Sequence, residues 1–179
     1  MKKLFLALSA ALILAGCATT TGGSARTSVS TFDGAKTVAV SPHGIACLNI
    51  YVTCASAGFV WSDKNPDQAS MLVKIEEIAN GGSYHALSAV KLNIDGDIVS
   101  LKPLLGDSNK FDFNTTYKET SRLYSTPLTL LERVKASTST KIQIIAEGAI
   151  IEGDFKNSAD STKAYHAMLR FLDEVKANQ

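Results

Sequence analysis

The chain has 179 residues, 45% of them hydrophobic and 20% charged, with 18 basic against 17 acidic side chains. That balance describes one folded domain of ordinary size and excludes wholesale disorder. Charge so close to neutral excludes a broad basic surface for nucleic acid, and equally a polybasic patch that could hold the domain on anionic lipid.

Lys2 and Lys3 open the chain, and residues 4–14 follow as an uncharged apolar run. As a helix this run reaches only about 16 Å, at about 1.5 Å per residue, against about 30 Å for a bilayer core. It therefore has the layout of a signal peptide, not of a membrane span. Leu14-Ala15-Gly16-Cys17 closes it. Here the sequence resembles the bacterial lipoprotein signal, whose lipobox is a small-residue triplet ended by an obligatory cysteine. The resemblance is confined to this leader. It implies that the Cys17 sulfur receives a diacylglyceryl group and that a dedicated peptidase cuts between Gly16 and Cys17. It also implies that the new amine is acylated, with palmitate the expected chain. Cysteine is required because its thiolate is the nucleophile that takes the lipid. Several acyl chains are needed because one alone gives only marginal, reversible membrane binding. In enterobacterial lipoproteins an aspartate after the cysteine favours retention in the inner membrane. Ala18 stands there instead, which implies the outer membrane, with the domain facing the periplasm. Loss of Lys2 and Lys3 from the 18 basic residues leaves 16 against 17 acidic, a formal −1 for the mature chain.

Residues 18–30 are small and polar, without apolar periodicity or an aromatic ring, and read as a linker. The expected organisation is a signal peptide over 1–16, the lipidated cysteine and a flexible tether over 17–34, and a single α+β periplasmic domain over 35–179.

Cys47 and Cys54 are seven positions apart in an exported chain, where a disulfide is the first expectation. Seven steps cover about 23 Å along a strand and about 10 Å along a helix, whereas bridged cysteines need Cα atoms within about 7 Å. If the bond exists, the chain must turn back between them. The alternative is a pair of buried free thiols on a strand through residues 48–53, whose composition suits one. Tyr51, Phe59 and Trp61 are expected to pack in the core near this pair, with a partner surface as the other possibility.

Residues 36–41 and 58–62 read as strands, and Met71, Val73 and Ile75 alternate with polar neighbours as a half-buried strand. Asp95-Gly96 predicts a two-residue hairpin turn that pairs Leu92 with Val99 and Val90 with Leu101 on one face. Residues 106–117 read as a polar loop with a short strand at 111–113. Thr126-Pro127 predicts a helix start, with Thr126 as cap, Pro127 at the first helical position, and Leu128, Leu131 and Val134 as the buried stripe. Residues 141–147 and 149–155 read as adjacent strands around Gly148. A terminal helix over about 159–176 carries Tyr165, Met168, Leu169, Leu172 and Val175 on one face, with His166 on the solvated side. The fold class is α+β: one mostly antiparallel sheet with two helices packed on one face.

No catalytic, cofactor or metal motif survives inspection. Ser88-Ala89-Val90-Lys91 has the spacing of a Ser-x-x-Lys nucleophile pair, but that chemistry needs a helix, where positions three apart share a face, and here it opens a strand. Ser83 and His85 share a glycine-rich loop without the second glycine of a nucleophile elbow. His43 falls in an expected loop, and the three histidines lack metal-ligand spacing. Glu152-Gly153-Asp154 reads as a turn. The expectation is therefore a non-enzymatic envelope protein, held on the membrane through Cys17 and binding an envelope protein partner, without cofactor and without nucleic acid. The alternatives are a binding module for a small ligand, lipid or cell-wall fragment, and a hydrolase.

Cys17→Ser should leave an unlipidated precursor that no longer fractionates as a mature lipoprotein. Metabolic labelling with a fatty-acid analogue measures this, and undiminished label on the variant would contradict the lipobox.

Overall fold

Strands whose apolar residues recur at every second position have one face to hide, and this chain has many of them. The computed structural model describes residues 23–48, 53–78, 85–104, 106–112 and 117–179. The signal peptide, Cys17, Tyr51, Ser83 and Phe113 lie outside the described residues. In chain order the elements are β1 (Arg26–Val29), β2 (Lys36–Leu48), β3 (Thr53–Ser62), β4 (Gln68–Ile78), β5 (Leu87–Ile94), β6 (Asp97–Ser100), β7 (Lys102–Pro103), β8 (Ser108–Asp112), β9 (Tyr117–Pro127), α1 (Leu128–Ala136), β10 (Thr140–Ala146), β11 (Ala149–Lys156) and α2 (Lys163–Asn178).

The strands form two antiparallel sheets, where the periodicity suggested one. The larger runs β1-β2-β3-β4-β9-β7, with β8 also paired to β9; the smaller runs β11-β10-β5-β6. The chain leaves the first sheet after β4, builds β5 and β6 in the second, returns for β7 to β9, and leaves again for β10 and β11. Alternation along a strand identifies a buried face but not which sheet covers it, so this division is not encoded locally. Val38, Phe59, Met71 and Val73 from the larger sheet share one hydrophobic core with Val90, Leu92, Ile142 and Ile144 from the smaller.

Arg26–Val29 belongs to the domain, not to the tether. Its backbone pairs with β2 from Arg26 opposite Ala39 to Val29 opposite Lys36. Polar edge strands carry no apolar alternation, which is why composition assigns this one to the linker. His43 likewise stands in β2 and not in a loop. The register of β2 on β3 shifts between Val40 and His43. Pro42, which has no N–H to donate, sits in that irregularity. Gly58 on β3 lies directly beneath: a Cβ there would stand 2.6 Å from the Val40 carbonyl oxygen.

β9 is the element that sequence periodicity misses. It is an eleven-residue strand paired along its whole length with β4, from Pro127 opposite Gln68 to Tyr117 opposite Ile78. Tyr124 faces Met71 and Thr120 faces Ile75 across that pair. Thr120, Arg122, Tyr124 and Thr126 alternate on one side, so its inward face is mostly polar and gives no apolar signal. Burial pushes the pKa of the Tyr124 hydroxyl up to about 12. Thr126 is buried as the strand ends, its hydroxyl donating to the Tyr124 carbonyl, so it does not cap α1. Pro127 occupies the cap position, with Leu131 and Val134 buried as the stripe predicts.

The Asp95-Gly96 turn has φ of 50° and 99° at its two central residues, the positive values that a type I′ hairpin needs. Leu92 pairs with Val99, and the Leu101 N–H donates to the Val90 carbonyl at 2.9 Å. Asp95 has a second role: its carboxylate accepts from the Thr138 and Ser139 N–H groups, the closest at 2.8 Å. Arg133 on α1 reaches Asp97 at 2.7 Å. These bonds seat the end of α1 on the hairpin of the smaller sheet.

α2 starts at Thr162, whose hydroxyl accepts from the Tyr165 N–H at 3.1 Å. Met168, Leu172 and Val175 are buried as predicted. Phe171, absent from the predicted stripe, is fully buried with its ring 5.6 Å from that of Phe59 on β3. Leu169 is only partly buried at the edge of the core. The real stripe is therefore rotated toward Ala164, Ala167 and Phe171. Phe171→Ala should cost about 3–5 kcal/mol, because a fully enclosed ring leaves a cavity, whereas Leu169→Ala should cost clearly less. Urea unfolding of the soluble domain compares the two, and equal losses would contradict this seating of the helix.

Candidate functional site

Among the described residues, no element lies across the outer face of the smaller sheet. Strand register sorts its residues into rows. Ile150, Ile145 and Ala89 form one; Glu152, Gln143, Lys91 and Ser100 the next; Asp154, Lys141, Asn93 and Ile98 the third. The twisted surface encloses a shallow concavity of about 630 Å³. Ile98 is 64% exposed and Ile150 55% exposed, large apolar side chains at opposite corners. Between them the charges are mixed, with Lys141 near Asp154 at 3.9 Å and the Gln143 amide donating to Glu152. Glu152, Gly153 and Asp154 are strand residues here and not a turn. The face thus offers two exposed apolar side chains and a mixed-charge centre between them.

A second concavity, of about 580 Å³, lies where the end of the β2–β3 hairpin meets the start of α2. Cys47 and Cys54 line it, directly opposite one another in the hairpin register, with Cα atoms 4.0 Å apart and the sulfurs bonded. The chain reverses between Leu48 and Thr53, as a bond at this spacing requires. Asp160, Lys163 and His166 form the helix side of the groove. His166 is half-buried, its ring 5.7 Å from that of Tyr165, where sequence placed it in solvent.

Beside this groove the first described residue is fastened to the domain. The Gly23 N–H donates to His43 Nε2 at 2.7 Å, and the Gly23 carbonyl accepts from Arg170 Nε at 3.0 Å. Burial, and after it the cations of Arg170 and Lys163, hold the His43 pKa below its ordinary value, which favours the neutral ring. Farther on, the Thr27 hydroxyl donates to Glu174 at 2.5 Å and accepts from the Asn178 amide at 3.2 Å.

The remaining residues that sequence singles out carry structural duties. The Ser88 hydroxyl donates to the Ile145 carbonyl at 2.9 Å, beside the irregularity between Ile145 and Ala146. His85 lies between Glu77, 2.9 Å from its Nε2, and the Glu147 carbonyl, 2.7 Å from its Nδ1. Asp107 accepts the Leu87 N–H at 3.0 Å, while Arg122 donates to the Leu87 carbonyl and approaches Asp107 at 3.8 Å. Sequence reasoning missed Arg122, and its only signal was a cation on the inward phase of a strand that itself went unseen. Phe59 and Trp61 are core residues, the Trp61 indole donating to the Pro66 carbonyl at 2.9 Å. Among the described residues no three His, Cys, Asp or Glu side chains are grouped to hold a metal ion. Among them, too, no helix is long and apolar enough to cross a membrane.

Residues 1–18 match a family model described as a prokaryotic membrane lipoprotein lipid attachment site. No curated protein and no solved structure matches the chain. The match ends one residue after Cys17, so the chain carries a lipoprotein signal and is lipid-anchored through that cysteine. It concerns the anchor alone and leaves the domain to its own geometry.

Reducing the Cys47–Cys54 bond should lower stability by about 2.5 kcal/mol, the chain-entropy value for so short a loop. Thiol alkylation read by mass spectrometry, with urea unfolding with and without reductant, measures this. Two freely alkylated cysteines in native, folded protein would contradict the bond.

Proposed function

We propose that this lipoprotein is a non-catalytic assembly component of the cell envelope, anchored in the outer membrane, whose domain binds a protein partner in the periplasm. The observation that carries the reading is the uncovered outer face of the smaller sheet, with Ile98 and Ile150 at its corners and mixed charge between. The two isoleucines give a partner apolar contacts, and the mixed charges between them give it polar ones. The outer-membrane assignment rests on Ala18, which stands where aspartate would favour inner-membrane retention.

A photo-crosslinking residue placed at Ile98 or at Ile150 should trap the same protein adduct in intact cells. Lys91→Glu, between those corners, should weaken both adducts several-fold while leaving the unfolding transition unchanged. Adducts of different size at the two corners, or none at either, would overturn the reading. A small ligand in the disulfide groove is the second reading, favoured by the concavity that Cys47, Cys54 and His166 line. Protection of His166 from modification by cell-wall or lipid extracts would support it.

A further inference from the structure

The covalent distance between the lipid and the folded domain is set by where the chain first becomes part of the fold. Composition runs the flexible tether on to residue 34, but Gly23 is already held by the domain, by His43 on one side and Arg170 on the other. Cys17 and Gly23 are six positions apart, which at about 3.5 Å per residue spans at most about 20 Å. A domain of this size is about 40 Å across, so the tether is shorter than the body it carries.

Direction is fixed as well as length. Contacts from the N-terminal segment descend α2 in order: Gly23 to Arg170, then Thr27 to Glu174 and Asn178. The segment thus runs parallel to the helix, and the chain enters the domain from the side of the helix N-terminus. That end carries Lys163, His166 and the groove closed by Cys47–Cys54. The opposite end carries the β1–β2 turn, where Phe32 is 100% exposed. Gly23 and Val29 are six positions apart along extended chain, so the two ends are separated by up to about 20 Å.

We infer that the Gly23 clasp orients the domain, holding the end formed by the start of α2 and the disulfide groove against the phospholipid surface and turning the Phe32 end away from it. The charges at the inner end are mixed, with Lys163, Arg170 and His43 beside Asp154 and Asp160. Covalent geometry therefore does the orienting, and the cations supply contacts to headgroup phosphate once the surfaces meet.

The test uses the full lipidated protein in phosphatidylethanolamine–phosphatidylglycerol vesicles. Benzoyl-phenylalanine is placed at Lys163, at His166 or at Phe32, and lipid adducts are counted by mass spectrometry after irradiation. Lys163 and His166 should give several-fold more adduct than Phe32. Equal labelling, or more at Phe32, overturns the orientation. A Gly-Ser segment inserted between Gly22 and Gly23, long enough to double the reach, should abolish the contrast without touching the fold. A contrast that survives this insertion shows that the tether does not orient the domain, and equally overturns the inference. Arg170→Ala, which opens one side of the clasp, should reduce the contrast partway.

Discussion

The seating of α2 is the contact on which most of this molecule depends. A seven-stranded antiparallel sheet has an apolar face that water cannot be left to cover, and α2 buries Phe171, Met168, Leu172 and Val175 in the core beside β2 and β3. The ring of Phe171 against Phe59 fixes the rotation of the helix about its axis. Once that rotation is set, Arg170, Glu174 and Asn178 point at the N-terminal segment, and Lys163 and His166 line the groove at the disulfide. A packing requirement in the core thereby decides where the lipid tether meets the domain.

A second constraint joins the sheets. They share one core, yet the backbone at the start of β5 must find partners at the boundary between them. Asp107 takes the Leu87 N–H and Arg122 gives to the Leu87 carbonyl, so one residue of the smaller sheet is held by side chains from the larger sheet and the loop before it. Buried polar groups have to be paired, and this pairing specifies how the sheets meet in a way that apolar packing alone does not. It also explains an arginine on the inward phase of β9.

The lipid attachment site places the chain on a membrane, and the clasp limits how far the domain can stand from it. The outer face of the smaller sheet belongs to the strands β11-β10-β5-β6, and β11 comes close to β2 where Gly153 approaches Ala46.

What the sequence alone determined was whatever depends on a short stretch of residues. The lipobox at Leu14-Ala15-Gly16-Cys17, the Asp95-Gly96 hairpin and its register, the strands around Gly148 and the turn back between Cys47 and Cys54 are all local in this sense. Each is written in the chemistry of a few adjacent side chains: a nucleophilic sulfur, a pair tolerant of positive φ, a glycine, a spacing. Tertiary structure decided the rest. The division into two sheets, the strand β9, the pairing of Arg26–Val29 and the rotation of α2 toward Phe171 depend on partners far away in sequence. β9 turns threonine, arginine and tyrosine inward, and Arg122 finds its acceptor only at the distant Leu87 carbonyl, so no apolar alternation announces the strand. Gly23 is the plainest case: it is held by the domain because His43 and Arg170, far away in sequence, arrive beside it.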